Sequence, residues 1–175
     1  VDEQQEIRII ESVEQPTLGF RQVVRMQDLP ALFERMIPRA AGLVERAGAR
    51  PAGPPYARYR GHLGDGVDVE VGFPVVEPVR EPAGPGGLPG AEEPDGGVAV
   101  ADALPEARVV EVVHVGSYET LPDTYARLES WMTEHDLRSV DQSWELYEAG
   151  PESDPDPATW RTRIAVAVAG PAVEA

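Results

Sequence analysis

The sequence predicts an α+β fold: a duplicated strand–helix–strand–strand unit, an antiparallel sheet with two main helices, and pseudo-two-fold symmetry between the halves. Three observations predict it. Asp28-Leu29-Pro30 and Thr120-Leu121-Pro122 open two helical patterns roughly ninety residues apart. Each helical pattern is followed by two stretches with the period-two alternation of strands buried on one side. One such unit cannot cover its own sheet, so the halves are expected to form one domain over residues 1–175, with halves at about 6–75 and 98–169.

The first strand of the first half is expected at residues 6–13, continued by 17–25, as the counterpart of 109–115. The first helix carries Leu29, Leu32, Phe33, Met36, Ile37, Ala40, Leu43, Val44 and Ala47 at helical spacing,. Asp28 is the expected N-cap, with Pro in the first turn where its missing N–H costs nothing. Pro38 is expected to kink this helix and Gly48 to stop it. Two strands follow at 56–60 and 67–75. In the second of these Val67, Val69, Val71, Phe73 and Val75 share a face, while Asp68 and Glu70 point away and are expected to be solvated. Residues 76–97 are dominated by Pro, Gly and acidic side chains and are expected to connect the halves,.

In the second half, residues 109–115 lead through His114-Val115-Gly116-Ser117-Tyr118 into the second helix, for which Thr120 is the expected N-cap. Leu121, Tyr125, Leu128 and Met132 line one face of this helix, with Trp131 on the flank. Strands are expected at 143–148 and 160–168, joined by a solvated loop at 150–158. On the first of them Ser143, Glu145 and Tyr147 share a face. A carboxylate among aromatics on a strand is costly unless a cation or a hydrogen-bond donor meets it.

Composition narrows the function. Acidic residues number 31 against 15 basic ones, all arginine, for a net charge of −16. That field repels phosphate backbones, which argues against direct nucleic-acid binding, and it concentrates small organic cations. No cysteine is present, and the three histidines (His62, His114 and His135) lack the spacing of a zinc motif, so no metal or cofactor is expected,. No apolar run approaches membrane-spanning length and no signal-peptide pattern precedes the first strand. The expected location is the cytoplasm.

The residues resemble a family. Gly53-Pro54-Pro55-Tyr56-Ala57-Arg58-Tyr59, Gly72-Phe73-Pro74-Val75, Leu104-Pro105, His114 to Tyr118, Trp144-Glu145-Leu146-Tyr147, and Asp156-Pro157 ahead of Trp160-Arg161-Thr162 are similar in order and spacing to the GyrI-like small-molecule-binding domain. This is the BmrR-like effector-binding domain of AraC- and MerR-type regulators, and the resemblance runs over about residues 6–169. The last strand departs from the family pattern: it reads Thr162-Arg163 where Thr-Glu is common.

The resemblance implies a groove for amphipathic, often cationic, molecules, with Glu145 in the ligand pocket. Tyr147 would lie beside it, and Tyr59 is its counterpart in the first half, where Ala57 replaces the glutamate. Tyr118 enters before the second helix and Trp131 lies along it. A carboxylate walled by aromatic faces suits a delocalised cation, each favourable ring adding about 0.5–2 kcal/mol. Each residue also has a plain structural reading. Glu145 can pair with Arg58 or Arg163, Tyr59 and Tyr147 can be packing aromatics, Trp131 can pack its helix on the sheet, and Tyr118 can brace the helix start. His114 reads as a structural histidine.

The expected function is a small-molecule-binding protein that sequesters or senses amphipathic, cationic aromatic compounds, linked to transcription regulation. Two alternatives stand beside it. One is a hydrolase of cyclopropane-bearing toxins that uses the pocket glutamate. The other is a protein-interaction module of the gyrase-inhibitor type. No nucleophile–histidine–acid series or phosphate loop adds independent support for catalysis, so binding is the leading expectation.

Overall fold

The computed structural model describes residues 6–63, 66–80 and 97–170. Most of the connector expected at 76–97 lies outside the described residues. The elements are β1 (Arg8–Ser12), β2 (Gln15–Arg25), α1 (Leu29–Arg46), β3 (Tyr56–Leu63), β4 (Gly66–Pro74), β5 (Val98–Leu104), β6 (Ala107–Val115), α2 (Leu121–Glu134), β7 (Arg138–Ala149) and β8 (Arg161–Ala169).

The α+β class is as expected, and the chain forms two compact units. One holds β2 to β5 with α1, its strands ordered β3-β4-β2-β5; the other holds β1 and β6 to β8 with α2, ordered β1-β6-β8-β7. All recorded pairings within each unit are antiparallel. Each unit therefore traces the same strand–helix–strand–strand path, with one further strand on the edge.

That edge strand departs from the sequence reading. The counterpart of β6 is β2, since each leads into its unit's helix and pairs with the second strand after that helix. Arg8–Ser12 instead pairs with β6, and Val98–Leu104, not foreseen as a strand, pairs with β2. Both edge strands are short, and β5 is rich in alanine, so neither carries a strong alternation signal.

In the unit of α2, Val110, Val112, Ile164, Val166 and Val168 from the strands meet Leu128, Met132 and Leu137. In the unit of α1, the helix buries Leu32, Met36, Ala40, Leu43 and Val44, and β2 and β4 bury Leu18, Phe20, Val67, Val69 and Val71. The apolar stripes read from the sequence are therefore the core faces. Pro38 lies inside α1, which nevertheless continues to Arg46, and Gly48 follows at φ +65°.

Neither expected N-cap makes a capping bond. Each helix is entered through a 3-10 turn, Met26–Asp28 or Tyr118–Thr120, whose first residue accepts the next free amide. This satisfies the helix start from the backbone. Asp28 pairs with Arg25 at 2.9 Å, and the Thr120 hydroxyl donates to the Ser117 carbonyl at 2.8 Å.

Gly19 and Gly72 face each other across β2 and β4. A Cβ on Gly72 would stand 2.3 Å from the Leu18 carbonyl oxygen and 2.6 Å from the Gly19 Cα. The two strands approach closely enough here that only hydrogen fits.

Asp68 and Glu70 are buried, which corrects the solvated reading of both. Arg21 donates twice to Asp68, at 2.9 and 2.6 Å. Glu70 is fully buried, and accepts from Arg60 at 2.7 Å and from the Tyr56 hydroxyl. Alternation placed these carboxylates correctly on the face away from the helix. It could not show that arginine stems from neighbouring strands cover that face.

Candidate functional site

Glu145 is central to the unit of α2. Strand alternation turns it and Tyr147 toward the face that α2 covers, where the register sets Glu145 opposite Ile164 and Tyr147 opposite Thr162,. From the helix, Tyr125 sits between Leu121 and Leu128 on the stripe that packs against the core,. Its hydroxyl donates to Oε1 of Glu145 at 2.5 Å, and the Tyr147 hydroxyl donates to Oε2 at 2.7 Å.

Glu145 is 5% exposed. Burial pushes its pKa above the usual carboxylate value of 4.5, while the two tyrosine hydroxyls and nearby His114 pull it back down,. Other buried acids are treated differently. Asp68 has Arg21, Glu70 has Arg60, and Glu111 has Arg8 and Arg163. Among the described residues no arginine meets the Glu145 carboxylate. Arg163 is held by Glu111 and Glu148, both at 2.7 Å, and Arg58 in the other unit donates to the Ala103 carbonyl at 2.9 Å.

An aromatic group continues outward from the carboxylate. Tyr118 meets Tyr147 edge-on, with ring centres 6.1 Å apart, and lies tilted against Trp160 at 5.1 Å. Tyr118 is 36% exposed, so the aromatic series leads from the surface to the buried anion. Partial burial and the charges of Glu152 and Glu145 raise its hydroxyl pKa. The structure thus brings together Glu145, Tyr147 and Tyr118 of the expected site residues.

Trp131 stacks on His135 at 3.8 Å and packs against the core. Tyr59 belongs to the other unit, on β3 opposite Val69. Tyr125 and Trp160 were not singled out in the sequence as site residues. Tyr125 reads there as one more residue of an apolar stripe, and only its polar tip, facing a strand carboxylate, distinguishes it. Trp160 reads as the first member of a strand face.

His114 is buried and fully engaged, as its structural reading expects. Its Nε2 lies 3.0 Å from the Ser117 carbonyl and 3.1 Å from the Thr120 hydroxyl, and its Nδ1 lies 2.6 Å from the Thr124 hydroxyl. No group of three or more His, Asp or Glu side chains suited to a metal ion occurs among the described residues. No helix among them is long and apolar enough to cross a membrane.

Comparison with known proteins agrees with this architecture. The family model of the GyrI-like small molecule binding domain matches residues 5–169. No curated protein matches the sequence. Among solved structures, the crystal structure of the EcmrR C-terminal domain is similar with a TM-score of 0.70 at 18% identity, covering 95% of this chain and 99% of that one. The cryo-EM structure of an EcmrR–DNA complex gives 0.74 at 20% identity, covering 96% of this chain, which spans 59% of the length of that chain. SAV2435 bound to tetraphenylphosphonium gives 0.63 at 11% identity, covering 94% of each chain. At these identities the likeness is one of fold.

Proposed function

Because the chain belongs to the GyrI-like small molecule binding domain family, we propose that it binds amphipathic organic cations, aromatic ones above all, with Glu145 as the anionic anchor. The observation that carries this reading is the difference between Glu145 and the other buried acids. Asp68, Glu70 and Glu111 each have an arginine; Glu145 has two neutral tyrosine donors. A buried carboxylate met only by neutral donors keeps its capacity for an incoming cation. Tyr118, Tyr147 and Trp160 supply faces and edges for a flat ligand, and such surfaces impose little directional demand, so specificity is broad. Trp131 and Tyr59 are further aromatic candidates, tested by the same titrations with Trp131→Ala and Tyr59→Ala.

The ligand named with SAV2435 is a lipophilic aromatic cation, which fits this class. The biological role proposed is sequestering or sensing such compounds in the cytoplasm, with a link to transcription through a regulator; a similar fold occurs in EcmrR, which is seen in complex with DNA. Titration with a panel of cationic, neutral and anionic aromatic dyes tests the binding step. Saturable binding that favours cations is expected; equal or absent binding across the panel overturns the reading.

A second reading follows from the same carboxylate. A glutamate whose pKa is raised by burial, with tyrosine hydroxyls in contact, has the parts of a general base and an acidic partner,. Incubation with a cyclopropane-bearing alkylator decides between the two. Turnover of many equivalents, lost in Glu145→Gln, favours hydrolysis, whereas recovery of unchanged compound favours binding.

A further inference from the structure

We infer that His114 is the positioning residue of this site: it fixes the entry of α2 at two points, and each point adjoins one of the tyrosines around Glu145. The inference rests on the binding role proposed above and assigns a residue which that role leaves unused. The imidazole is buried on β6, and its two nitrogens reach different parts of the helix entry.

The hydrogen bonds place one proton on the ring. The Ser117 carbonyl can only accept, so Nε2 carries a proton, shared between that carbonyl at 3.0 Å and the Thr120 hydroxyl at 3.1 Å,. Thr120 spends its own proton on the same Ser117 carbonyl at 2.8 Å. In the neutral ring Nδ1 then accepts from the Thr124 hydroxyl at 2.6 Å. One ring therefore holds Ser117, the residue before Tyr118, and Thr124, the residue before Tyr125.

The neighbouring backbone supports the same placement. Gly116 adopts φ +128°, a conformation L side chains rarely adopt, and donates its amide to the Trp160 carbonyl at 2.9 Å,. The turn that delivers Tyr118 is thus tied to Trp160, the ring it lies against. A side chain that held only the turn would need no bond to Thr124. A side chain that held only the helix would need none to Ser117. His114 makes both, and so sets Tyr118 and Tyr125 relative to β7, which carries Glu145 and Tyr147.

The test compares His114→Ala, His114→Gln and Thr124→Val with the parent. Each is titrated with tetraphenylphosphonium well below its melting temperature, with folding checked by circular dichroism. Loss of the clamp is expected to weaken binding about five- to tenfold in His114→Ala, the scale of one or two hydrogen bonds. His114→Gln, whose amide can replace the Nε2 donor, is expected to recover part of that loss. Thr124→Val cuts only the helix arm and keeps the measurement available if His114→Ala does not fold. A double-mutant cycle with Tyr125→Phe supplies the readout that a purely structural role would not move. If His114 acts through Tyr125, the effect of His114→Ala shrinks in that background. Folded variants that bind like the parent, or full additivity with Tyr125→Phe, overturn the positioning role. A parent that does not bind the cation refutes the proposed function itself.

Discussion

Tyr147 donates its hydroxyl to Oε2 of Glu145 from two residues further along the same strand, at 2.7 Å. Residues two apart on a strand share a face, so this bond is local to β7 and needs no second element to bring its partners together. The bond from Tyr125 to Oε1 is of another kind, since it crosses from α2 over twenty positions of sequence. One oxygen is held by the strand and the other by the helix. A ligand that displaces the Tyr125 hydroxyl would leave the carboxylate fixed by Tyr147.

Charge selectivity follows from the anchor. Glu145→Gln is expected to weaken a cationic dye by about 1–3 kcal/mol, the scale of a charge-assisted contact, and to leave a neutral analogue of the same shape unchanged. Parallel titrations by fluorescence or calorimetry check this; equal losses for both ligands would refute the anchor role.

The pH dependence has a definite sign. Burial raises the Glu145 pKa above 4.5, so near that pH the folded chain keeps a proton that the unfolded chain releases. This contribution to stability is full below the unfolded pKa and is lost as pH rises through the folded one. Glu145→Gln should remove that loss and melt with a shallower decline over the same window. Cation affinity should move oppositely, rising with pH as the carboxylate ionises, with proton release detectable by calorimetry in buffers of different ionisation enthalpy.

Stacking surface can be separated from charge. Tyr118→Ala removes the ring that contacts both Tyr147 and Trp160. It should lower affinity for flat aromatic cations by about 0.5–1.5 kcal/mol and affect aliphatic ammonium ions much less. An equal effect on both, measured by competition, would remove Tyr118 from the wall.

The buried acid of the other unit behaves as a structural pair. Arg60→Leu leaves Glu70 without its arginine while Tyr56 still donates to it, and is expected to cost about 3 kcal/mol in urea unfolding,. Arg60→Leu with Glu70→Gln should recover much of that loss. Recovery identifies the uncompensated charge as the cause.

The sequence disclosed what repeats and what alternates. Both helix stripes and the faces of β4, β7 and β8 were legible because each buries one side against its unit's core. Less visible were relations set by register between distant segments. Nothing local to Arg8–Ser12 shows that its partner lies about a hundred residues away on β6. Nothing local to Tyr125 shows that its hydroxyl ends on Glu145. Asp68 and Glu70 were misread for the same reason, since their burial depends on Arg21 and on the side chains of β3. Asp28 and Thr120 have the right chemistry for caps, but the 3-10 turns before both helices left the side chains free for Arg25 and for His114.

The edge strands also constrain the order in which the chain can fold as it is made. β1 leaves the ribosome before the other described strands, yet it pairs with β6, and Ser12 both donates to the Ala107 carbonyl and accepts from its amide across 95 positions of sequence. The unit of β2 to β5 with α1 has all its strands once Leu104 has emerged. The other unit is complete only with β8, and its first strand stays unpaired until β6 has emerged. Closing so long a loop costs little more than closing one half its length, because the entropy grows only with the logarithm of length. The burden of this arrangement is therefore one of time: an early strand edge stays open while the rest of its sheet is still being synthesised.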